Sequence, residues 1–149
     1  MRQALSILLV ICAFVFMGCK GKKAARTGPP KTDVEFARDV FQLMAQGDPA
    51  AGDLIDFDHL SVAGIDVGTQ YRTLTTDGAR ENFRSAFIRG YANSFKSYGG
   101  SADVLANWRE QSKDATKTVV IADGPNKRSL LITVTRIDGQ QYVSALEPG

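Results

Sequence analysis

The chain holds few of the residue types on which site chemistry is usually built. Histidine appears once, at His59, and tryptophan once, at Trp108. The two cysteines, Cys12 and Cys19, both fall within the first twenty residues. With no second histidine and no later cysteine, a transition-metal centre of the common His/Cys kind has no ligand set. Asp53, Asp56, Asp58 and Asp66 are close together, but they miss the twelve-residue calcium pattern and its terminal bidentate Glu. Ser61, Ser85 and Ser101 lie in no G-x-S-x-G context, which removes hydrolysis by a nucleophile elbow. Gly99-Gly100 closes a helical pattern, whereas a phosphate loop opens one. No metal and no cofactor is therefore expected. The longest apolar run, Ala4 to Met17, has about 14 residues and is too short to span a bilayer comfortably.

Acidic residues are also missing from one end. The first 31 residues carry six bases (Arg2, Lys20, Lys22, Lys23, Arg26 and Lys31) and no acid. Residues 32–149 then hold twelve bases against all sixteen acids. A mildly acidic body on a basic tail argues against nucleic-acid binding, which calls for a basic face or stripe. An anionic membrane surface explains the tail better. The 118 residues of the body suffice for one modest domain.

Arg2, the apolar run and the small Gly18 have the length and flanks of a secretory signal peptide. Phe16-Met17-Gly18-Cys19 resembles the lipobox of bacterial lipoproteins, although Phe16 and Met17 depart from the usual leucine and small residue. The resemblance implies signal-peptide cleavage after residue 18 and lipidation of Cys19, with more than one acyl chain giving stable attachment to the membrane. Cleavage there leaves the mature chain a single cysteine, so no internal disulfide forms. Residues 20–31 (KGKKAARTGPPK) are polar, basic and rich in Gly and Pro, as a disordered tether is. Residues 1–18 thus read as signal peptide, 19–32 as lipidated cysteine and tether, and 33–149 as a single domain. By the same resemblance, Lys20 in place of aspartate points to the outer membrane, facing the periplasm.

The domain opens with a capping box, Thr32 and Glu35, and a helix expected from Asp33 to Gln46. Asp48-Pro49 starts a second, short helix. Residues 56–75 show no sustained period; a helical turn at 58–63 and a short strand near 65–67 are expected. The longest amphipathic stretch is Thr76 to Tyr98, where Phe83, Phe87, Tyr91 and Phe95 recur every four residues. Four rings on one face require a broad cover, expected to be a sheet. The last third supplies strands at 102–111, 117–122, 129–137 and 140–146, alternating with period two and broken by turn residues. Asp138-Gly139 is a two-residue hairpin signal.

Helices followed by a four-stranded antiparallel meander make an α+β fold. Together with helix-start wording such as EFARDVFQLMAQGD, this order resembles the nuclear-transport-factor-2-like or cystatin-like domains. There a long helix packs into a curved sheet, and the resemblance implies that architecture here, with a homodimer through the sheet as a further implied partner. ENFRSAFIRGYANSFKSYGG also resembles part of the periplasmic phospholipid carriers of the toluene-tolerance type.

Three functions compete. A non-catalytic binding or scaffolding module would have a filled core and an envelope protein as partner. A carrier of phospholipid or another apolar ligand would use a pocket lined by Tyr71, Phe87, Tyr91, Trp108 and His59, the polar tips of the tyrosines and tryptophan needing partners. A small isomerase or dehydratase would aim His59, with Asp56, Asp58 or Asp66, into a cavity. The same DFDHL stretch also reads as a turn capped by an aspartate. Arg72, Arg80, Arg84 and Arg89 read as a solvated helix face or as contacts for an acidic partner.

Overall fold

The computed structural model describes residues 28–149; the apolar run, Cys19 and the segment up to Thr27 lie outside the described residues. Helix α1 spans Asp33–Gln46 and opens on Thr32, whose hydroxyl accepts from the Glu35 N–H while the Glu35 carboxylate accepts from the Thr32 N–H. Gly47 ends it at φ +77°, left-handed, donating back to Met44 and Leu43. A Cβ there would also sit 3.3 Å from Ala92, so glycine serves both the turn and the packing of the two helices. A 3-10 helix, Pro49–Leu54, follows, capped by Asp48. Strands β1 (Ser61–Val62) and β2 (Ile65–Asp66) form a small hairpin, then come α2 (Val67–Arg72) and α3 (Asp77–Ser97). Strands β3 (Ala106–Lys113), β4 (Lys117–Asp123), β5 (Ser129–Ile137) and β6 (Gln140–Pro148) complete the chain.

The result is an α+β fold with helices on one sheet, and it differs from the expected architecture in three ways. First, the sheet has six strands in the order β2-β1-β6-β5-β4-β3. The four-stranded meander is present, but β1 adds to β6 in parallel, Ser61 opposite Ala145 and Val62 opposite Leu146. Second, the sheet is mixed and not strongly curled. Third, the helix lying on the sheet is α1, which touches β3, β4, β5 and β6, while the main contacts of α3 are with α1 and the 3-10 helix. The side chains explain the exchange. Phe36, Ala37, Val40, Phe41, Met44 and Ala45 give α1 an apolar face that is almost wholly buried. On α3 only Ile88 and Ala92 are buried, and the four rings stay half-exposed.

The core lies between α1 and the inward residues of the meander: Val120, Ala122, Ile132, Val134, Val143 and Leu146. Each such aliphatic side chain contributes about 1.5–3 kcal/mol on burial. Strand β5 has the limits expected, β4 and β6 run one and two residues further, to Asp123 and Pro148, and β3 is shifted to Ala106–Lys113, residues 102–105 lying outside it. Asp138-Gly139 closes the β5–β6 hairpin with both residues at positive φ, +51° and +76°.

One buried charge ties helix to sheet. Asp33, the first residue of α1, is 4% exposed. Its carboxylate accepts from Thr118 of β4 (2.7 Å), Arg136 of β5 (2.5 Å) and Gln141 of β6 (2.7 Å), and Lys113 of β3 stands 3.7 Å away. Burial pushes this carboxyl up, but the hydrogen bonds from Gln141, Thr118 and Arg136 together outweigh burial and hold it below its usual 3.8. Because the folded-state value is depressed, this group stabilises the fold fully above pH 3.8, and that contribution is lost as the pH falls from 3.8 through the lower folded value. Asp33→Ala strands the buried Thr118 hydroxyl and leaves Arg136 without its anion. It should cost about 2–4 kcal/mol in urea denaturation at neutral pH, with the deficit shrinking in acid. A loss under 0.5 kcal/mol, or one independent of pH, would contradict the assignment.

Candidate functional site

Between Phe57 and Ile88 the chain makes its densest set of ring contacts. Tyr71 meets Phe57 (centroids 5.4 Å) and Phe83 (5.7 Å), and Phe57 also meets Phe83 (6.3 Å) and Phe87 (5.5 Å). From Phe87 the contacts run down α3 to Tyr91 (6.5 Å) and Phe95 (6.4 Å). Phe95 touches Phe41 of α1 at 5.4 Å, and Phe41 touches Trp108 of β3 at 5.7 Å. The four-residue spacing on α3 stacks its rings one above another, and Phe57, Tyr71 and Phe41 close them in from the core side.

Four of the five residues expected to line a pocket therefore belong to one chain of rings, with Tyr71 and Trp108 at its opposite ends. The Trp108 tip and one face of Tyr71 are engaged locally. The Trp108 indole donates to the Leu105 carbonyl at 3.3 Å, and Arg80 lies 5.5 Å over the Tyr71 ring. The rings fill the seam beside α3 with one another. Tyr91 is pushed up to about 12 by burial of its phenol.

His59 stands apart, its side chain 71% exposed. Its Nδ1 lies 2.8 Å from Oδ2 of Asp56, which is buried. The Asp56 N–H donates to Val143 of β6, so this turn is pinned to the sheet. The pair presents a largely exposed imidazole oriented through Nδ1 by a carboxylate. Asp58 and Asp66 serve the backbone and neighbours instead. The Asp58 carbonyl accepts from Arg72, and Asp66 caps α2 through the Thr69 N–H (2.9 Å) and hydroxyl (2.7 Å). Those bonds, the hydroxyl first, hold the Asp66 carboxyl below its usual range. Gly68 fits because a Cβ there would fall 2.5 Å from the Asp58 oxygen. Among the described residues no three of His, Cys, Asp and Glu gather into a group able to hold a metal ion.

A concave site that the sequence did not single out lies at the other side of α1. It is a half-open groove of about 920 Å³, bordered by Gly28–Lys31, by α1 and by the β5–β6 hairpin. The sequence pattern does not assemble it, because α1 and the β5–β6 hairpin that face each other across it are at least ninety residues apart. The stripe on α1 that faces it could have been read from the spacing of Phe36, Asp39, Leu43 and Gln46.

The arginines of the α2–α3 region are mostly occupied. Arg84 bonds Glu81 at 2.7 Å, Arg72 bonds the Thr69 hydroxyl at 2.9 Å, and Arg80 donates to the Leu74 carbonyl at 3.0 Å. No protein-family model, no curated protein and no solved structure matches this chain.

Tyr91 supplies a readable probe of the aromatic seam. Its folded value lies above the ordinary 10, so burial of the neutral phenol stabilises the fold up to about pH 10, and this is lost as the pH rises toward about 12. Absorbance titration should show one tyrosine ionising near pH 12 or only with unfolding, and Tyr91→Phe should remove that component. Loss of a component near pH 10 in Tyr91→Phe, with a component near pH 12 kept, would show the phenol to be solvated.

Proposed function

We propose that this chain is a lipid-anchored protein of the bacterial cell envelope, attached through Cys19 and held off the membrane by the basic segment 20–31. On this reading the domain acts without catalysis, as a binding or scaffolding module, at the outer membrane and facing the periplasm. The nuclear-transport-factor-2-like or cystatin-like order of elements belongs to the same proposal, with the α1-on-sheet packing and the added parallel hairpin as departures from that pattern.

One observation carries the reading most directly: the way the domain begins. Immediately after the basic segment, Thr32 caps α1, the Lys31 carbonyl accepts from Gln141 at 3.1 Å, and Asp33 is gripped by three strands. A domain suspended by its N-terminus benefits from a firm first turn at the attachment point. The alternative, a carrier of phospholipid or another apolar ligand, draws on the half-exposed rings of Phe83, Phe87, Tyr91 and Phe95. Their contacts with one another favour a filled seam over a tunnel. An isomerase or dehydratase reading rests on the Asp56–His59 pair, which sits on an exposed turn.

Labelled palmitate supplied to bacteria expressing the full chain should enter the protein, and Cys19→Ala should abolish the label and move the protein to the soluble fraction. Label that persists in Cys19→Ala, or none in the parent, overturns the anchor. Native mass spectrometry of the detergent-extracted protein should show no phospholipid bound at one per chain. Stoichiometric lipid would favour the carrier, and a mass of two chains would reveal pairing through the sheet.

A further inference from the structure

Helix α1 has two working faces. One is buried against the sheet. The other, Asp39, Leu43 and Gln46 at steps of four and three residues with Gln42 beside them, lines the groove at the start of the domain, which the nearly buried Phe36 also borders. Across from it lie Arg136, Gln140 and Gln141, with Leu54 between. The volume of about 920 Å³ falls within the range of ligand-binding clefts.

The chemistry of the walls narrows the ligand class. The charges cancel in pairs: Lys31 with Asp39, and Arg136 with Asp33. An ionic ligand would find no net countercharge. The remaining polar groups are amides, those of Gln42, Gln46, Gln140 and Gln141. The Gln141 amide N–H groups are already used by Lys31 and Asp33; each of Gln42, Gln46 and Gln140 offers a donor and an acceptor that an apolar ligand covering them would leave unpaired at a cost. Leu43, Leu54, Pro29 and Pro30 supply apolar surface to the same groove. Gln141 already shows how these amides are used, since its Nε2 donates to the backbone carbonyl of Lys31 at 3.1 Å. The chain so held is Gly28-Pro29-Pro30-Lys31, where proline following Pro29 keeps that residue extended. The groove thus already has an extended backbone as one wall, fixed by a glutamine amide. A ligand with repeating N–H and C=O groups, no net charge and small apolar side chains matches what the other amides offer.

We propose that this groove binds a neutral, extended peptide segment of a partner protein. The proposal rests on the reading of the domain as a binding module and names the chemistry of its partner. It does not depend on the lipid anchor, which palmitate incorporation tests separately.

The test uses the full-length chain in detergent micelles and a fluorescein-labelled peptide, acetyl-Ala-Gly-Pro-Pro-Ala-Val-Pro-Ala-amide with the dye on a terminal linker. Fluorescence anisotropy should rise saturably, with Kd on the order of 10–100 μM. The double variant Gln42→Ala/Gln46→Ala should weaken binding at least about fivefold. Arg38→Ala, an exposed change outside the groove lining, should leave it unchanged, and unaltered thermal melts would show that each variant folds. Chitotriose, added as a competitor, should not displace the peptide. Absence of saturable binding at about 1 mM, or binding unaffected by the glutamine variant, overturns the proposal. Displacement by chitotriose, or saturable binding of chitotriose in place of the peptide, would assign the groove to a glycan and leave the binding-module reading standing.

Discussion

A single carboxylate holds the two layers of this domain in register. Asp33 begins α1, where a negative charge also favours the helix N-terminus, and it reaches a side chain from each strand of the meander. A buried charge is costly alone and tolerable when each lone pair is used. Here a hydroxyl, a guanidinium and an amide do that, with an ammonium close by. Apolar contacts beneath α1 give the stability; the polar cluster fixes where along the sheet the helix begins. Its placement also sets one end of the groove, since Arg136 and Gln141 serve both.

Much of the fold was legible because local and tertiary preferences agree. The capping box at Thr32 and Glu35, the buried stripe of α1 and the left-handed Gly47 all point to the same helix, and its observed limits are those expected. Strand β4 alternates cleanly, with Thr118, Val120 and Ala122 buried between exposed or half-buried neighbours, while in β6 Tyr142, Val143 and Ser144 are buried in succession beside a register shift against β5. The β1–β2 hairpin was not legible in that way. Its turn is Ala63-Gly64 at φ +49° and +76°, a left-handed pair in which alanine stands where Asn or Asp would announce the turn. Each strand has two residues, too few for any period. The parallel pairing with β6 depends on partners over eighty residues away, and Glu147 of β6 secures it by accepting from the Ser61 hydroxyl and the Gly64 N–H, both at 2.7 Å.

The aromatic residues show a different limit of sequence reading. Their period placed α3 correctly but not its neighbour. A stripe of rings says that a face wants cover; it does not say whether a sheet, a helix or other rings provide it. Phe57 and Tyr71 come from the segment with no period, and Phe41 comes from α1. Trp108 and Tyr91, expected to line a pocket, lie in one chain of ring contacts, while His59 is largely exposed on a turn held by Asp56. The groove had no signature beyond the spacing on α1, since glutamines on a helix surface look like any solvated face until the β5–β6 hairpin is brought opposite them.

The Asp33 cluster has a consequence for the order in which the chain can fold. Its partners Thr118, Arg136 and Gln141 follow it by 85, 103 and 108 residues. The latch closes only once the last strand exists, so the first helix has no sheet to settle on while the chain is still emerging. Long-range closure of this kind slows folding. The helix made first is thus fixed in place by the residues made last.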